Sequence, residues 1–166
     1  ALTMTFVIIA RQIDLSVASI IAVSSVVLGY TTSLGYDTWL VLLLTLLSGA
    51  LCGAFNGAII TKFAIPSIIV TIGTMSLFRG LAYSFLEDSY YNKFPKLVGK
   101  LGGGYLYGYI PYAFLTFILL AFVFAFILHK TSVGKKIYSI GNNPDAAQYT
   151  GIAVDKYTFV LFTLNG

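Results

Sequence analysis

The 166-residue chain is 58% apolar and only 10% charged, whereas soluble domains average about 45–50% apolar and about 25% charged residues. This composition excludes an ordinary water-soluble domain and predicts a protein embedded in membrane lipid. The formal net charge is +4. Because the basic residues lie between apolar blocks, membrane topology explains this charge and no nucleic-acid partner is expected.

Four apolar blocks approach the length of about 20 residues that a helix needs to cross a bilayer. Two shorter blocks, at the start and end of the sequence, are expected to belong to further helices. Since a backbone in hydrocarbon must satisfy its own hydrogen bonds, the blocks predict an all-α, polytopic transmembrane helical bundle with about four complete and two partial spans. The complete blocks are residues 15–30, 38–61, 66–83 and 110–128, and the partial ones are residues 1–10 and 157–166.

Basic residues between the blocks predict the orientation of the bundle. If successive helices alternate in direction, Arg11, Lys62 and the four lysines of residues 129–156 share one side, which the positive-inside rule makes cytoplasmic. Residues 84–108, whose three lysines are offset by two acidic residues, are then a periplasmic loop. We expect residues 1–166 to form one transmembrane domain and to be a piece of a longer chain, because both ends lie inside apolar runs.

The block over residues 38–61 carries a row of small residues. Gly49, Gly53 and Gly57 repeat every four residues, which places them on one helix face and lets a neighbouring helix approach closely. Asn56 lies beside this row. Its amide has two interpretations: a hydrogen bond to an adjacent helix that assists packing, or a place in a polar pathway.

Residues 10–16 interrupt the first apolar run with two charges and an amide, which predicts a broken helix. Asp14 is suited to cap the following helix by accepting from the backbone N–H two or three residues on, and we expect Arg11 to neutralise it. An ionisable residue at membrane depth is also a hypothesis of function. A structural break and a place in a transport pathway both remain open for Arg11, Asp14 and Ser16.

Residues 130–151 are too polar for the hydrocarbon core. Within them the sequence predicts a short helix with Asn143 as N-cap, Pro144 at the first helical position and Gly151 in the left-handed position after the end. A helix of about two turns is not stable alone in water. It must dock on this protein's own helices or on a cytoplasmic partner, and an ordinary ordered loop is the alternative.

The sequence has no signature of catalysis or of a cofactor. It lacks a glycine-rich phosphate-binding loop and any nucleophile placed beside a base. The one cysteine, Cys52, excludes a cysteine-built zinc site, and the one histidine, His129, follows an apolar block, where the membrane interface is its expected place. We therefore predict no catalytic, cofactor-binding or metal-ligating residues, and a chain that cannot hydrolyse ATP unaided.

Three stretches of the sequence form a specific set: Ile13-Asp14-Leu15-Ser16-Val17; Asn56-Gly57 through Ile65-Pro66 and Ile69-Val70-Thr71-Ile72-Gly73-Thr74 to Arg79-Gly80; and Gly134-Lys135-Lys136-Ile137-Tyr138-Ser139-Ile140-Gly141-Asn142-Asn143 through Ala146-Ala147 to Gly151-Ile152. Together they resemble the permease family of ribose, xylose, rhamnose and autoinducer-2 type ATP-binding-cassette importers. The family usually has two glycines and one further glycine where this sequence has Arg11, Gln12 and Ala18, and an arginine in place of Lys135. The arginine at position 11 points to the rhamnose or autoinducer-2 branch.

The resemblance implies a permease subunit of the bacterial inner membrane that translocates a sugar or sugar-like solute. It implies a second, identical or related permease subunit, an external sugar-binding protein and cytoplasmic ATPases that use the ATP. The third stretch meets the ATPase in that family. It therefore gives a coupling role to Gly141, Asn143, Ala146, Ala147 and Gly151. The alternative is a secondary transporter or channel that works without an ATPase.

Overall fold

The computed structural model describes residues 2–86, 91, 94–106 and 108–166. Within these ranges the chain forms nine helices and one short antiparallel hairpin of two-residue strands. In chain order the elements are α1 Leu2–Ile9, α2 Val17–Ser33, α3 Thr38–Phe63, α4 Ser67–Leu86, α5 Lys96–Gly103, β1 Tyr105–Leu106, β2 Ile110–Pro111, α6 Tyr112–Lys130, α7 Ser132–Asn142, α8 Pro144–Tyr149 and α9 Val154–Asn165.

Three helices of the described chain, α3, α4 and α6, are long and apolar enough to cross a membrane. Helix α2 is a shorter apolar helix of 17 residues, or about 25 Å. Helices α1 and α9 occupy the places of the two partial blocks. The prediction of an all-α, polytopic bundle is confirmed, with three full-length spans and α2 in the place of the fourth.

Several helix ends differ from the boundaries that hydropathy predicts. Helix α4 continues to Leu86, so residues 84–86 are helical and only the remainder of the predicted outer segment lies between spans. Helix α9 begins at Val154, three residues before the apolar block, with Asp155 in its first turn. The polar first turn of α9 belongs to the helix because an acidic side chain stabilises the positive N-terminal end of a helix. Hydropathy alone does not detect such turns.

The glycine row of α3 lies against the backbone of α9. A Cβ atom added at Gly53 would overlap the carbonyl oxygen of Phe162, and one added at Gly57 would lie 3.0 Å from the carbonyl oxygen of Phe159. Gly49 meets the end of α9 in the same way, at the carbonyl of Gly166. The absence of side chains along this row is what allows the two helices to approach so closely.

Two contacts place the break, the start of α4 and helix α7 at one end of the bundle. The Ile13 N–H donates to Ser67 Oγ at 3.1 Å, and Gly141 of α7 lies against the carbonyl oxygen of Ile9. A cluster of buried apolar residues occupies the same end. Its members include Phe6, Val7, Leu128, Ile137, Ile140, Ala147, Leu161 and Phe162.

Gly53→Leu should destabilise the bundle, because the new side chain would fill the space now taken by the α9 backbone. Overpacking of this kind costs about 1–3 kcal/mol or more. We expect a thermal midpoint in detergent that is lower by several degrees. Gly73→Leu is the matched control, since a Cβ at Gly73 of α4 meets no described atom within 4 Å. Equal midpoints for the two variants would contradict the close packing of α3 on α9.

Candidate functional site

The break between α1 and α2 begins with a tight turn centred on Arg11. The Gln12 N–H donates to the Val7 carbonyl at 3.0 Å and the Arg11 N–H to the Ile8 carbonyl at 2.9 Å, which is the Schellman pattern of helix ends. Arg11 has a φ of 60°, in the left-handed region that favours glycine. The permease family that this sequence resembles usually has glycine at this position.

Asp14 follows the turn and is buried, with 3% of its surface exposed. Its Oδ1 accepts hydrogen bonds from the Ser16 N–H at 2.9 Å and from Ser16 Oγ at 2.6 Å. Its Oδ2 accepts from Asn165 Nδ2 at 2.8 Å. The prediction that Asp14 accepts from the N–H two residues on is confirmed, while the N-cap position itself belongs to Ser16.

The expected pairing of Arg11 with Asp14 is wrong. Arg11 is exposed, and no salt bridge joins the two residues in the described part of the chain. The left-handed turn ends α1 at Arg11 and leaves the arginine at the surface, whereas the chain re-enters the interior by Asp14. Three hydrogen-bond donors from Ser16 and Asn165, instead of a cation, surround the carboxylate.

Asn56 of α3 is fully buried and reaches the same carboxylate through Ser16. Its Nδ2 donates to Ser16 Oγ at 2.8 Å. Since the single hydroxyl proton of Ser16 goes to Asp14, Ser16 can only accept from the amide, and this fixes the orientation of Asn56. The Oδ1 of Asn56 is buried and has no hydrogen-bond partner among the described residues.

Asn165 and Thr3 complete what we call the polar cluster: Thr3, Asp14, Ser16, Asn56 and Asn165. Thr3 Oγ1 donates to Asn165 Oδ1 at 2.9 Å, so the cluster joins α1, the break, α3 and α9. Thr3 and Asn165 were not predicted as site residues from the sequence. The available signal was an amide inside an otherwise apolar block, because polar side chains at membrane depth usually bond a neighbouring helix.

The polar cluster lies at membrane depth. Asn56 is seven residues before Phe63, the end of α3, which is about 10 Å along the helix axis. Asn165 is eleven residues after Val154, the start of α9, or about 16 Å. An ionisable residue at such a depth is expensive and marks a site where helices meet or a solute passes.

The predicted short helix after Asn143 is present as α8, Pro144–Tyr149. Asn143 Oδ1 accepts from the Ala146 N–H at 3.1 Å, and Pro144 stands at the first turn. At the other end Gly151 has a φ of 86°. The bonds Gly151 N–H to Gln148 carbonyl (2.9 Å) and Ile152 N–H to Ala147 carbonyl (3.1 Å) form a Schellman motif. The N-cap and the left-handed glycine are both confirmed.

Ala147 points into the protein, so the expectation that it faces a partner is corrected. It is 4% exposed and packs in the buried cluster with Ile137 and Ile140 of α7. Ala146 is exposed, and Tyr149, which the sequence analysis did not select, has 92% of its surface exposed. The short helix therefore docks on its own protein by one side and presents the other to solvent.

Helix α7 precedes α8 and was not predicted. The Thr131 side chain caps it by accepting from the Gly134 N–H at 3.4 Å, and Gly134, Ile137 and Ile140 form its buried side. The three-residue spacing of these positions, with lysines between them, was the amphipathic signal in the sequence. Close contact of Gly141 with the Ile9 carbonyl joins α7 to α1.

Asp14→Ala should destabilise the protein whether or not Arg11 is present. The change leaves the donors of Ser16 and Asn165 without their acceptor, at about 1–3 kcal/mol for each buried group left unpaired. We expect the same loss of thermal stability in Asp14→Ala and in the double variant with Arg11→Gln. Arg11→Gln alone is the control, with an effect within about 0.5 kcal/mol. A double variant more stable than Asp14→Ala would instead support an ion pair between Arg11 and Asp14.

Comparison with known proteins gives a consistent result. The model of a family described as "Branched-chain amino acid transport system / permease component" matches residues 1–166. The "Autoinducer 2 import system permease protein LsrC" of Escherichia coli O9:H4 (strain HS) is 35% identical over 166 residues, which is 100% of this chain and 48% of that protein. The protein of the same name from Shigella flexneri is 36% identical over the whole chain, which covers 48% of that protein. The one from Photorhabdus laumondii is 34% identical over the whole chain, which covers 50% of that protein.

The chain spans about half the length of these curated relatives. No solved structure matches it. The family match over every residue, together with the three apolar helices long enough to cross a bilayer, leads to one conclusion: the chain is a multi-pass membrane protein that belongs to the family of branched-chain amino acid transport system permease components.

Proposed function

We propose that the chain is a transmembrane part of a permease subunit of an ATP-binding-cassette importer in the bacterial inner membrane. The observation that carries the proposal is the family match over residues 1–166. The relatives that match over the whole chain are named as import-system permeases. The permease is a transport component, and a separate ATPase subunit hydrolyses the ATP.

The relatives favour a sugar-like solute. Their names specify autoinducer 2, at 33–36% identity over the whole chain, whereas branched-chain amino acids are named in the description of the family as a whole. A name shared by individual proteins is the more specific of the two. We propose autoinducer 2, or a sugar related to it, as the solute, delivered by an external binding protein.

The exposed side of α8 is the proposed docking site for the ATPase. The helix is capped at both ends and packs inward through Ala147, which fixes Tyr149 in an exposed position that nothing in the described chain covers. Six basic residues lie at this end of the bundle: Arg11, Lys62, Lys130, Lys135, Lys136 and Lys156. The positive-inside rule then makes residues 129–156 cytoplasmic and residues 84–108 periplasmic.

A second permease subunit is part of the proposal, identical or related to this one. A secondary transporter or channel that works without an ATPase is the alternative, and no observation favours it. The broken helix at Arg11 to Asp14, which motivated the alternative, is held by hydrogen bonds and is equally compatible with an ATP-driven permease.

The test is solute uptake by the full-length permease reconstituted with its ATPase and binding protein. Autoinducer 2, D-ribose, D-xylose, L-rhamnose and L-leucine form the panel. We expect uptake of autoinducer 2 or a sugar that requires both ATP and the binding protein, with a non-hydrolysable ATP analogue as the control. Uptake driven by an ion gradient in vesicles without ATPase would overturn the proposal in favour of the alternative.

Tyr149→Ala should weaken association with the ATPase and lower ATP-dependent uptake, because it removes the most exposed side chain of α8 without touching the buried cluster. We expect normal membrane levels and at least a fivefold loss of uptake, equivalent to about 1 kcal/mol. Co-purification of the ATPase and uptake measure the two effects.

Tyr109→Ala is the matched control for this change. Tyr109 is 89% exposed and lies between β1 and β2, at the proposed periplasmic side. It should leave association with the ATPase unchanged. If Tyr149→Ala behaved like the control in both measurements, α8 would be only a connector.

A further inference from the structure

A cavity of about 530 Å³ opens between α2 and α4. Its α2 wall presents small residues of one helix face, including Ala18, Ala22 and Ser25, and its α4 wall presents Arg79 and Tyr83. Small side chains on α2 leave the space open. The cavity therefore combines an aromatic ring, a hydroxyl and a guanidinium in one place within a transmembrane bundle.

Arg79 is the charged group of this cavity. It lies seven residues before Leu86, the end of α4, or about 10 Å along the axis. The side chain is exposed and makes no salt bridge or hydrogen bond with a described residue. The Ser25 hydroxyl likewise makes no hydrogen bond with a described residue. An arginine at this depth requires water or a polar ligand, because hydrocarbon does not solvate a guanidinium.

The cavity runs along α2 towards the polar cluster. From Val26 to Ala18 its α2 wall spans eight residues, or about 12 Å. At the inner end lies Ser19, whose hydroxyl donates to the carbonyl oxygen of Ser16 at 2.7 Å. At the outer end Tyr91 packs on Gly29, where an added Cβ would be 2.7 Å from the tyrosine ring. The space thus extends from Leu86, the end of α4, to Ser19, which is bonded to Ser16 of the polar cluster.

We propose that this cavity is the outer part of the solute pathway and that Arg79 and Ser25 bind oxygen atoms of the passing solute. The guanidinium offers five N–H donors and the serine hydroxyl both donates and accepts. The proposal rests on the function proposed above and names the residues and the solute chemistry that it uses.

The described lining matches the oxygen atoms of a sugar-like solute. Arg79 offers N–H donors, and the hydroxyls of Ser25 and Tyr83 both donate and accept. A small, uncharged solute with several hydroxyl or carbonyl oxygens fits these donors and acceptors. This agrees with the sugar-like solute proposed above.

Thiol labelling tests whether the cavity holds water. In full-length permease with Cys52 and any other cysteine replaced by serine, Ser25→Cys is exposed to the membrane-impermeant reagent 2-sulfonatoethyl methanethiosulfonate in spheroplasts. Leu77→Cys is the matched control, since Leu77 is exposed on α4 but does not line the cavity. Ser25 is eight residues before the end of its helix and Leu77 is nine. We expect labelling at least tenfold faster at position 25, and equal rates would overturn the proposal.

Kinetics of Arg79 variants test solute binding. Arg79→Gln should lower the maximal rate of uptake at least tenfold in the reconstituted importer, because the external binding protein, and not the pathway, sets the solute concentration for half-maximal uptake. Arg79→Lys should lower the rate less, with unchanged co-purification of the ATPase. Equal losses in the two variants, or a loss of co-purification, would assign Arg79 a structural role and overturn the proposal. The labelling experiment does not require transport. A reconstituted importer that failed every uptake assay would refute the proposed function, and the labelling rate at position 25 would still show whether water enters the cavity.

Discussion

The fold depends on one constraint: a carboxylate at membrane depth must be given hydrogen-bond donors by the protein itself. Asp14 is buried and obtains three, two from Ser16 and one from Asn165. These donors come from the break and from α9, and Ser16 is held in turn by Asn56 of α3. Because an unsatisfied polar group in hydrocarbon is costly, the helices that carry these residues cannot separate without exposing the charge.

The glycine row makes this arrangement possible. Gly53 and Gly57 bring the backbone of α3 against that of α9, and Asn56, beside the row, enters the same contact region. A Cβ at Gly53 would push Phe162 away, and Asn165 lies less than one turn further along α9. Packing and polar contacts therefore stabilise the same interface, and the bond of Asn56 to Ser16 supports the interpretation that its amide assists packing.

Local patterns in the sequence predicted the elements whose causes are local. The bundle follows from apolar length, the caps of α8 from Asn143 and Gly151, and the acceptor role of Asp14 from its position shortly before α2. The partners of Asp14 were not predictable in this way. Asn165 is 151 residues away, and only the tertiary approach of α9 brings it near. The erroneous pairing with Arg11 came from sequence proximity, which ignores the turn that carries the two side chains to different environments.

Helices α1 and α8 end in the same Schellman turn with different residues at its left-handed position. Gly151 ends α8 without steric cost, whereas Arg11 ends α1 at a φ of 60°, which costs an L-residue about 1–2 kcal/mol. Such a conformation persists only where the surroundings determine it. Here the Ile13 N–H is bonded to Ser67 and Asp14 is anchored in the polar cluster, so the chain on the far side of the turn has a fixed position. The contact of Gly141 with the Ile9 carbonyl fixes the near side. The strained turn at Arg11 is thus held on one side by α7, which precedes α8, and on the other side by the buried carboxylate of Asp14. A displacement of α7 would therefore change the position of the turn and of Asp14.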